Sequence, residues 1–349
     1  MIDVSIKRGT PEVIASLGSM VDSVYRPSLR LGTGMAKEFP HLFHPLNAHN
    51  LFYAEYQGKP VSMVGVLKQT AIMPACAVPV ASIGSVVTLP EYRGQQLATA
   101  VLETVFEAMD NEGQALCLIS GERPLYQRLG CMKTGRMFNV HVPVSLPPKQ
   151  AAEYALRRIP GDQRVEYAPV LASIYRREPY RFQRSTEQMA VLLDALWFQR
   201  RDYRQELYVI ETTSSVAGYV IAFVTPNKPR YAQILEWAGD RRLIDKAWTG
   251  LMADLGVESA TFHVQEKDLW MQRLVEDRNW EREVTAVQGT IKTANVDRLL
   301  HAVRPMLEEL GEWPWRYKGD EDVSSKLFTP SAEGGIGLPF ILTDDLNYI

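Results

Sequence analysis

The sequence predicts an α/β (α+β) fold in which a mixed central sheet is flanked by helices, laid down twice along the chain. Three observations predict it. Apolar runs of strand length alternate with stretches of helical spacing. The order hairpin, strand, helix, strand over residues 51–119 recurs over residues 206–264. Finally, 349 residues amount to about two domains and a remainder, at roughly 150 residues each.

Composition narrows the class. Apolar residues at 46% and charged residues at 23% are ordinary for a globular chain and exclude a disordered or fibrous one. A net charge of -3 argues against broad nucleic-acid binding, which needs a basic face to release counterions. Cys76, Cys117 and Cys131 are too few for a disulfide framework and read as buried small hydrophobes in a reducing compartment. No charge occurs between Lys68 and Glu91, a run long enough to span a bilayer. Pro74, Pro79 and Gly84 interrupt it, so two buried strands joined by a Pro-containing turn are expected instead. The N-terminus lacks the apolar stretch of a signal peptide, and a cytoplasmic protein without a membrane partner is expected.

Taken in order, Val4–Lys7 reads as a strand, and Thr10-Pro11-Glu12 opens a helix over Val13–Val24, with Pro at its first position. A loop-like stretch covers Arg26–Asn50. Leu51–Tyr56 and Val61–Leu67 form a hairpin about Gly58, and the uncharged run ends in a strand near Thr88. A helix follows Arg93 to about Asn111, with Leu97, Val101, Leu102, Val105, Phe106 and Met109 on one face. Ala115–Ile119 is a short buried strand, Pro124–Leu129 a short helix, and Met137–Val144 a strand closing the first sheet. Prolines 143, 147 and 148 place a boundary near 147. The expected divisions are 1–147, 148–288 and 289–349. In the second, Arg181–Arg200 reads as a helix bearing Trp197 and Phe198. Strands follow at Glu206–Glu211, Val216–Val224 and Ala232–Ala238, then a helix at Asp240–Leu255 and a strand at Ser259–Val264. Trp197, Trp237, Trp248 and Trp270 are expected in its core. The last segment holds a helix over Val296–Leu310 and a Gly-rich, strand-like tail ending Leu346-Asn347-Tyr348-Ile349.

The chemistry concentrates in the run from Ser85 to Leu102. It is a strand, a turn at Pro90, and a helix N-terminus whose unpaired N–H groups and dipole favour an anion. Arg93 adds charge, while Gly94 and Ala98 let a phosphate approach the backbone. The spacing therefore predicts a pyrophosphate site, although many strand–loop–helix junctions are purely structural.

Arg93-Gly94-Gln95-Gln96-Leu97-Ala98 resembles the Arg/Gln-x-x-Gly-x-Gly/Ala hallmark of the GNAT superfamily of acyl-CoA-dependent N-acetyltransferases. It matches at Arg93 and Ala98, with Gln96 where Gly is usual. Leu125-Tyr126-Gln127-Arg128-Leu129-Gly130-Cys131 resembles the family's Tyr-x-x-x-Gly-Phe segment, at the right separation. The resemblance covers residues 1 to about 145. It implies a GNAT fold with a V-shaped splay between two parallel strands and acetyl-CoA as co-substrate. The pantetheine would pair with Val87, Thr88 and Leu89. The pyrophosphate would sit on Arg93, Gly94, Gln95, Gln96, Leu97, Ala98 and Thr99, beside Gly121 and Glu122. Tyr126 matches the tyrosine that protonates the departing thiolate; a phenol of pKa about 10 holds its proton at neutral pH.

The layout also resembles the tandem GNAT proteins of the enhanced-intracellular-survival type, with a degenerate second GNAT-like unit, although the final segment is shorter than is usual there. That resemblance implies a tail docking toward the active site, with the Ile349 carboxylate as base or acceptor anchor, since Ala81–Leu89 offers no Asp, Glu or His. Glu38, His41 and His44 lie in the loop expected beside the acceptor, where an ordinary solvated loop is the plainer reading. His41-x-x-His44 has no further ligands nearby, so no metal is expected. The second unit, lacking a counterpart of the 88–99 loop, is expected to bind no CoA. The expected function is an acetyl-CoA-dependent N-acetyltransferase acting on a primary amine of a small molecule or peptide. Rival readings are a catalytically silent acyl-CoA-binding sensor or scaffold, and a transferase using another acyl donor. A homo-oligomer is compatible with the sequence but not specified by it.

Overall fold

A computed structural model describes residues 2–27, 34–143, 153–195, 204–226, 229–319, 323–343, 345–347 and 349. The chain divides into two units. The first comprises Met1–Gly135, Val287–Thr343 and Tyr348–Ile349; the second comprises Arg136–Ala286 and Asp344–Asn347. The expected boundary at 147 lies outside the described residues, and the observed division falls between Gly135 and Arg136.

The elements in chain order begin with β1 (Ser5–Arg8), α1 (Ile14–Tyr25), α2 (Met35–Glu38), β2 (Leu51–Tyr56), β3 (Lys59–Met73) and β4 (Cys76–Thr88). Next come α3 (Leu97–Asn111), β5 (Leu116–Ile119) and α4 (Pro124–Arg128). The second unit holds β6 (Met137–Pro143), β7 (Ala155–Ile159), α5 (Ala168–Tyr175), β8 (Arg181–Phe182), α6 (Thr186–Asp194), β9 (Arg204–Glu211), β10 (Val216–Val224) and β11 (Tyr231–Gly239). It continues through α7 (Arg241–Leu255), β12 (Ser259–Gln265), α8 (Leu269–Asp277) and β13 (Glu281–Thr285). The chain returns to the first unit as β14 (Thr290–Thr293), α9 (Val296–Glu309) and α10 (Val323–Phe328).

The first sheet runs β1-β2-β3-β4-β5-β14, and the second β13-β6-β12-β11-β10-β9-β7. Each has one parallel pair, β4 with β5 and β11 with β12, bridged by α3 and α7 respectively. That is the expected recurrence of element order. The uncharged run is the long β3–β4 hairpin, turning at Pro74-Ala75, where Ala75 takes φ 58°. Residues 80–87 are buried without a break and the rest of the run alternates buried with exposed or partly exposed positions, so its inner face has no need for charge. Among the described residues, no helix is long and apolar enough to cross a membrane. Leu97, Val101, Leu102, Val105 and Met109 of α3 lie fully inside, packed on Phe52, Val64, Val66, Ala81 and Ile83. In the second unit Leu243, Ala247, Trp248, Leu251 and Leu255 of α7 pack on Val220, Ala222, Ile234 and Phe262.

Several expectations are corrected. The strand at Met137 does not close the first sheet: β6 pairs antiparallel with β12 and β13, and β14 takes the place beside β5. The helix expected over Arg181–Arg200 begins only at Thr186. Ser185 caps it, accepting from the Gln188 N–H at 3.1 Å while the Gln188 side chain accepts from the Ser185 N–H at 2.8 Å. Trp197 and Phe198 lie outside the described residues. Of the remaining tryptophans, Trp248 is core, Trp237 is partly buried against it, and Trp270 is 42% exposed. The described tail after Thr329 forms no strand, and the loop 26–50 contains α2 and a 3-10 turn at Pro45–Asn50.

Candidate active site

The site forms where β4 parts from β5. Their parallel pairing ends at Ile83–Ile119, with one last bond from the Ser120 N–H to the Ile83 carbonyl at 3.1 Å. Immediately beyond, β4 bulges. Met63 faces Val87 and Gly65 faces Gly84, so Val64 alone opposes Ser85 and Val86, and Ser85 takes φ 50°. A bulge bends its strand and increases the local twist, which opens the sheet into a V.

A cavity of about 720 Å³ lies in this opening, lined by Val24 and Tyr25 of α1, Val86–Thr88, the 92–99 turn and the α4 segment with Arg123 and Arg128. The helix α3 enters it uncapped. Its first intrahelical bond runs from the Ala100 N–H to the Gln96 carbonyl at 3.0 Å, and Gln96 supplies no side-chain cap. The N–H groups of Leu97, Ala98 and Thr99 therefore lack helical partners at the cavity wall. Gly94 at φ 78° and Gln96 at φ 60° are both left-handed, which turns the backbone into this cradle. The Gln that stands in place of Gly thus keeps the backbone conformation that Gly favours.

The second unit has a contrasting counterpart. There α7 is capped by its own Asp240, whose Oδ1 accepts from the N–H groups of Arg242 at 2.9 Å and Leu243 at 3.2 Å. Arg241 is held by Glu178 and Asp268 and lies over the Trp237 ring at 4.5 Å. A carboxylate already occupies the helix end that is open in α3.

Of the expected site residues, Val87, Thr88, Arg93, Gly94, Gln96, Leu97, Ala98 and Thr99 line the cavity. Leu89 does not: its N–H donates to the Val61 carbonyl and its carbonyl accepts from the Tyr92 N–H, each at 3.0 Å. Gln95 turns away, accepting from the Ile2 N–H at 3.2 Å, and Glu122 pairs at the surface with Lys133 at 2.6 Å. Gly121 lies under the Tyr126 ring, where an added Cβ would come within 2.9 Å of Cε2. Tyr126 itself is 5% exposed and belongs to the core cluster on which α3 packs, while its neighbour Leu125 lines the cavity.

Ile349 is also brought to the splay. A Cβ on Gly84 would come within 2.5 Å of the Ile349 carbonyl oxygen, so only glycine there admits the Ile349 backbone. Gly84 is one residue past the end of β4–β5 pairing and Gly121 two, which puts Ile349 and the phenol ring at the base of the same V.

Sequence reasoning missed several residues. Tyr25 donates its hydroxyl to the Val86 carbonyl at 2.6 Å, bracing the bulge. Ser85 Oγ is buried with no hydrogen-bond partner among the described residues. Arg123 and Arg128 line the cavity with Arg93 and add positive charge to it; Arg128 lies within the 125–131 segment and Arg123 just before it, and those basic residues were the available signal. The loop candidates have structural roles. Glu38 is buried rather than solvated, forked onto Arg26 at 3.1 and 2.7 Å. His44 Nδ1 accepts from the Leu46 N–H at 3.2 Å, and His41 packs edge-on to Phe39. Among the described residues, no three His, Cys, Asp or Glu side chains are grouped to hold a metal ion.

A bulged strand splaying from its parallel neighbour over an uncapped helix defines the class. Residues 21–133 match the family described as an acetyltransferase (GNAT) domain, and the second unit repeats the first unit's order of strands and helices. Among particular proteins, the chain is similar in fold to a GCN5-related N-acetyltransferase from Anabaena variabilis. The identity is 15% and the TM-score 0.67, covering 86% of this chain and 75% of that one. A GCN5-related N-acetyltransferase from Kribbella flavida is similar at 14% identity and TM-score 0.60, covering 86% and 73%. Eis1 from Mycobacterium abscessus is similar at 16% identity and TM-score 0.59, covering 86% and 76%. No curated protein matches the sequence.

Proposed function

We propose that the first unit transfers an acetyl group from acetyl-CoA to a primary amine by direct attack. The observation that carries the reading is the uncapped, left-handed entry into α3 facing a cavity lined by Arg93, Arg123 and Arg128. Free N–H groups, a helix dipole and three guanidinium groups favour a polyanion such as the phosphates of CoA. The residues present therefore fit the co-substrate. Val87 and Thr88 hold the pantetheine arm, and Leu89, whose polar groups are already paired, takes no part.

In the reaction the amine nitrogen bonds to the thioester carbonyl carbon and the carbon–sulfur bond breaks. The Ile349 carboxylate takes the proton that the attacking ammonium must lose; Tyr126, at the base of the V, gives one to the departing thiolate and regains one from the nitrogen as the amide forms. Backbone N–H groups of β4 stabilise the oxyanion. Ser85 contributes its hydroxyl: left unpaired, such a buried group costs about 1–3 kcal/mol, and a bound substrate supplies the missing partner.

The test is thiol release from acetyl-CoA against polyamines, aminoglycosides and short peptides. Wild type is compared with Tyr126→Phe and with a chain lacking its last four residues. Amine-dependent release that falls at least tenfold in both variants is expected. Acetyl-CoA binding with no release across the panel overturns the reading in favour of a silent binder, and release from another acyl-CoA alone overturns the choice of donor.

A further inference from the structure

The acyl-transfer reading leaves unused the most elaborate polar cluster of the second unit. Arg184 is 2% exposed, and its guanidinium forks onto Glu236 of β11, Nη1 to Oε1 at 2.9 Å and Nη2 to Oε2 at 3.0 Å. Tyr219 of β10 donates its hydroxyl to Glu236 Oε1 at 2.6 Å, and the ring of Tyr175 from α5 lies 3.9 Å from the Arg184 guanidinium carbon. These groups alone make a neutral, well-paired assembly. The tail adds a further carboxylate. Asp345 Oδ2 accepts from the Tyr175 hydroxyl at 3.0 Å and stands 3.9 Å from Arg184 Nη2. Asp345 Oδ1 accepts from the Asn347 N–H at 2.8 Å, the Asn347 side-chain amide reaches both Asp345 oxygens, and the Leu346 N–H points to Glu236 Oε2 at 3.4 Å. The Tyr175 oxygen accepts from the Phe182 N–H at 3.1 Å, which fixes the direction of its own donation.

We infer that Tyr175, Arg184, Glu236 and Asp345 form a latch that fixes residues 345–347 within the second unit. The latch rests on the geometry of the cluster. Asp345, Leu346, Asn347 and Ile349 are all buried, unlike a frayed terminus. The latch is also pH-sensitive. Burial, and then repulsion from Glu236, push the Asp345 carboxyl up to about 7, against the attraction of Arg184. A released tail would return it to about 3.9. The docked form therefore holds the extra proton between those values. Docking is tightest below pH about 4 and weakens as pH rises through about 7.

The experiment is timed release of Ile349 from the full-length protein by carboxypeptidase Y, followed by mass spectrometry. Rates are normalised at each pH to a free peptide of the last ten residues. Wild type is expected to be protected at pH about 5.5, with release on the order of tenfold faster at pH about 8. Asp345→Asn keeps the bonding shape without the titration, and is expected to stay protected with a flat pH profile. Tyr175→Phe keeps the ring under Arg184 and is expected to release Ile349 faster throughout. Wild-type release as fast as the peptide overturns the inference, as do variants indistinguishable from wild type. Acyl transfer is measured in parallel: trimming that follows the expected pattern while transfer stays unchanged upholds the latch and removes Ile349 from the chemistry.

Discussion

Gln96 bears a backbone conformation that a side chain opposes. At φ 60° its Cβ crowds the following carbonyl, a cost of roughly 1–2 kcal/mol that glycine escapes. Gln96→Gly is therefore expected to raise stability by about 1 kcal/mol in thermal denaturation and to leave the α3 cradle unchanged. A lower midpoint would mean that the Gln side chain makes a compensating contact. At this scale the sequence was legible where chemistry is local: Arg93, Gly94 and Ala98 lie on one short turn and all reach the cavity. Leu89 and Gln95 were misplaced because their partners, Val61 and Ile2, are distant in sequence. Ser85 could not be singled out, because only the strand register reveals a bulge.

At the scale of the element, α3 and α7 answer the same crossover with opposite termini, one open and one closed by Asp240. The open end is useful only with cations around it. Arg128→Ala and Arg123→Ala are expected to raise KM for the acyl-CoA about threefold to thirtyfold each, with kcat nearly unchanged, and to reduce its salt dependence. A fall in kcat at unchanged KM would place these arginines in the chemistry instead. Helices and hairpins were readable from periodicity, since α3 and α7 must each bury one face. The partner of a strand was not. The alternation in Met137–Pro143 specifies a half-buried strand equally well in either sheet, and only the edge offered by β12 decides which.

For the whole molecule, the three cysteines are buried in the first unit. Burial pushes the Cys117 thiol up to about 12 and that of Cys131 to about 11, and raises Cys76 as well. Thiolate is the reactive form, so the native protein is expected to react negligibly with a disulfide reagent at pH about 8 over the course of an assay, and with three equivalents once denatured. Fast reaction of the native protein would show a core that opens readily. The two-unit plan was legible from the recurring element order, but its boundaries were not, because prolines mark a linker and say nothing of which sheet the flanking strands join.

The exchange of closing strands bears on biosynthesis. The first sheet is completed by β14, and the Thr290 hydroxyl that bonds the Gly121 carbonyl is 169 residues downstream of it. A nascent chain therefore leaves the ribosome with the edge of β5 uncovered while the whole second unit is made. The first unit must wait, unpaired along that edge, for a segment synthesised 169 residues later, and such contacts are slow to form. Sheet edges of this kind recruit other strands. Expression yield should then depend on translation rate and chaperone supply more than the stability of the finished protein would suggest.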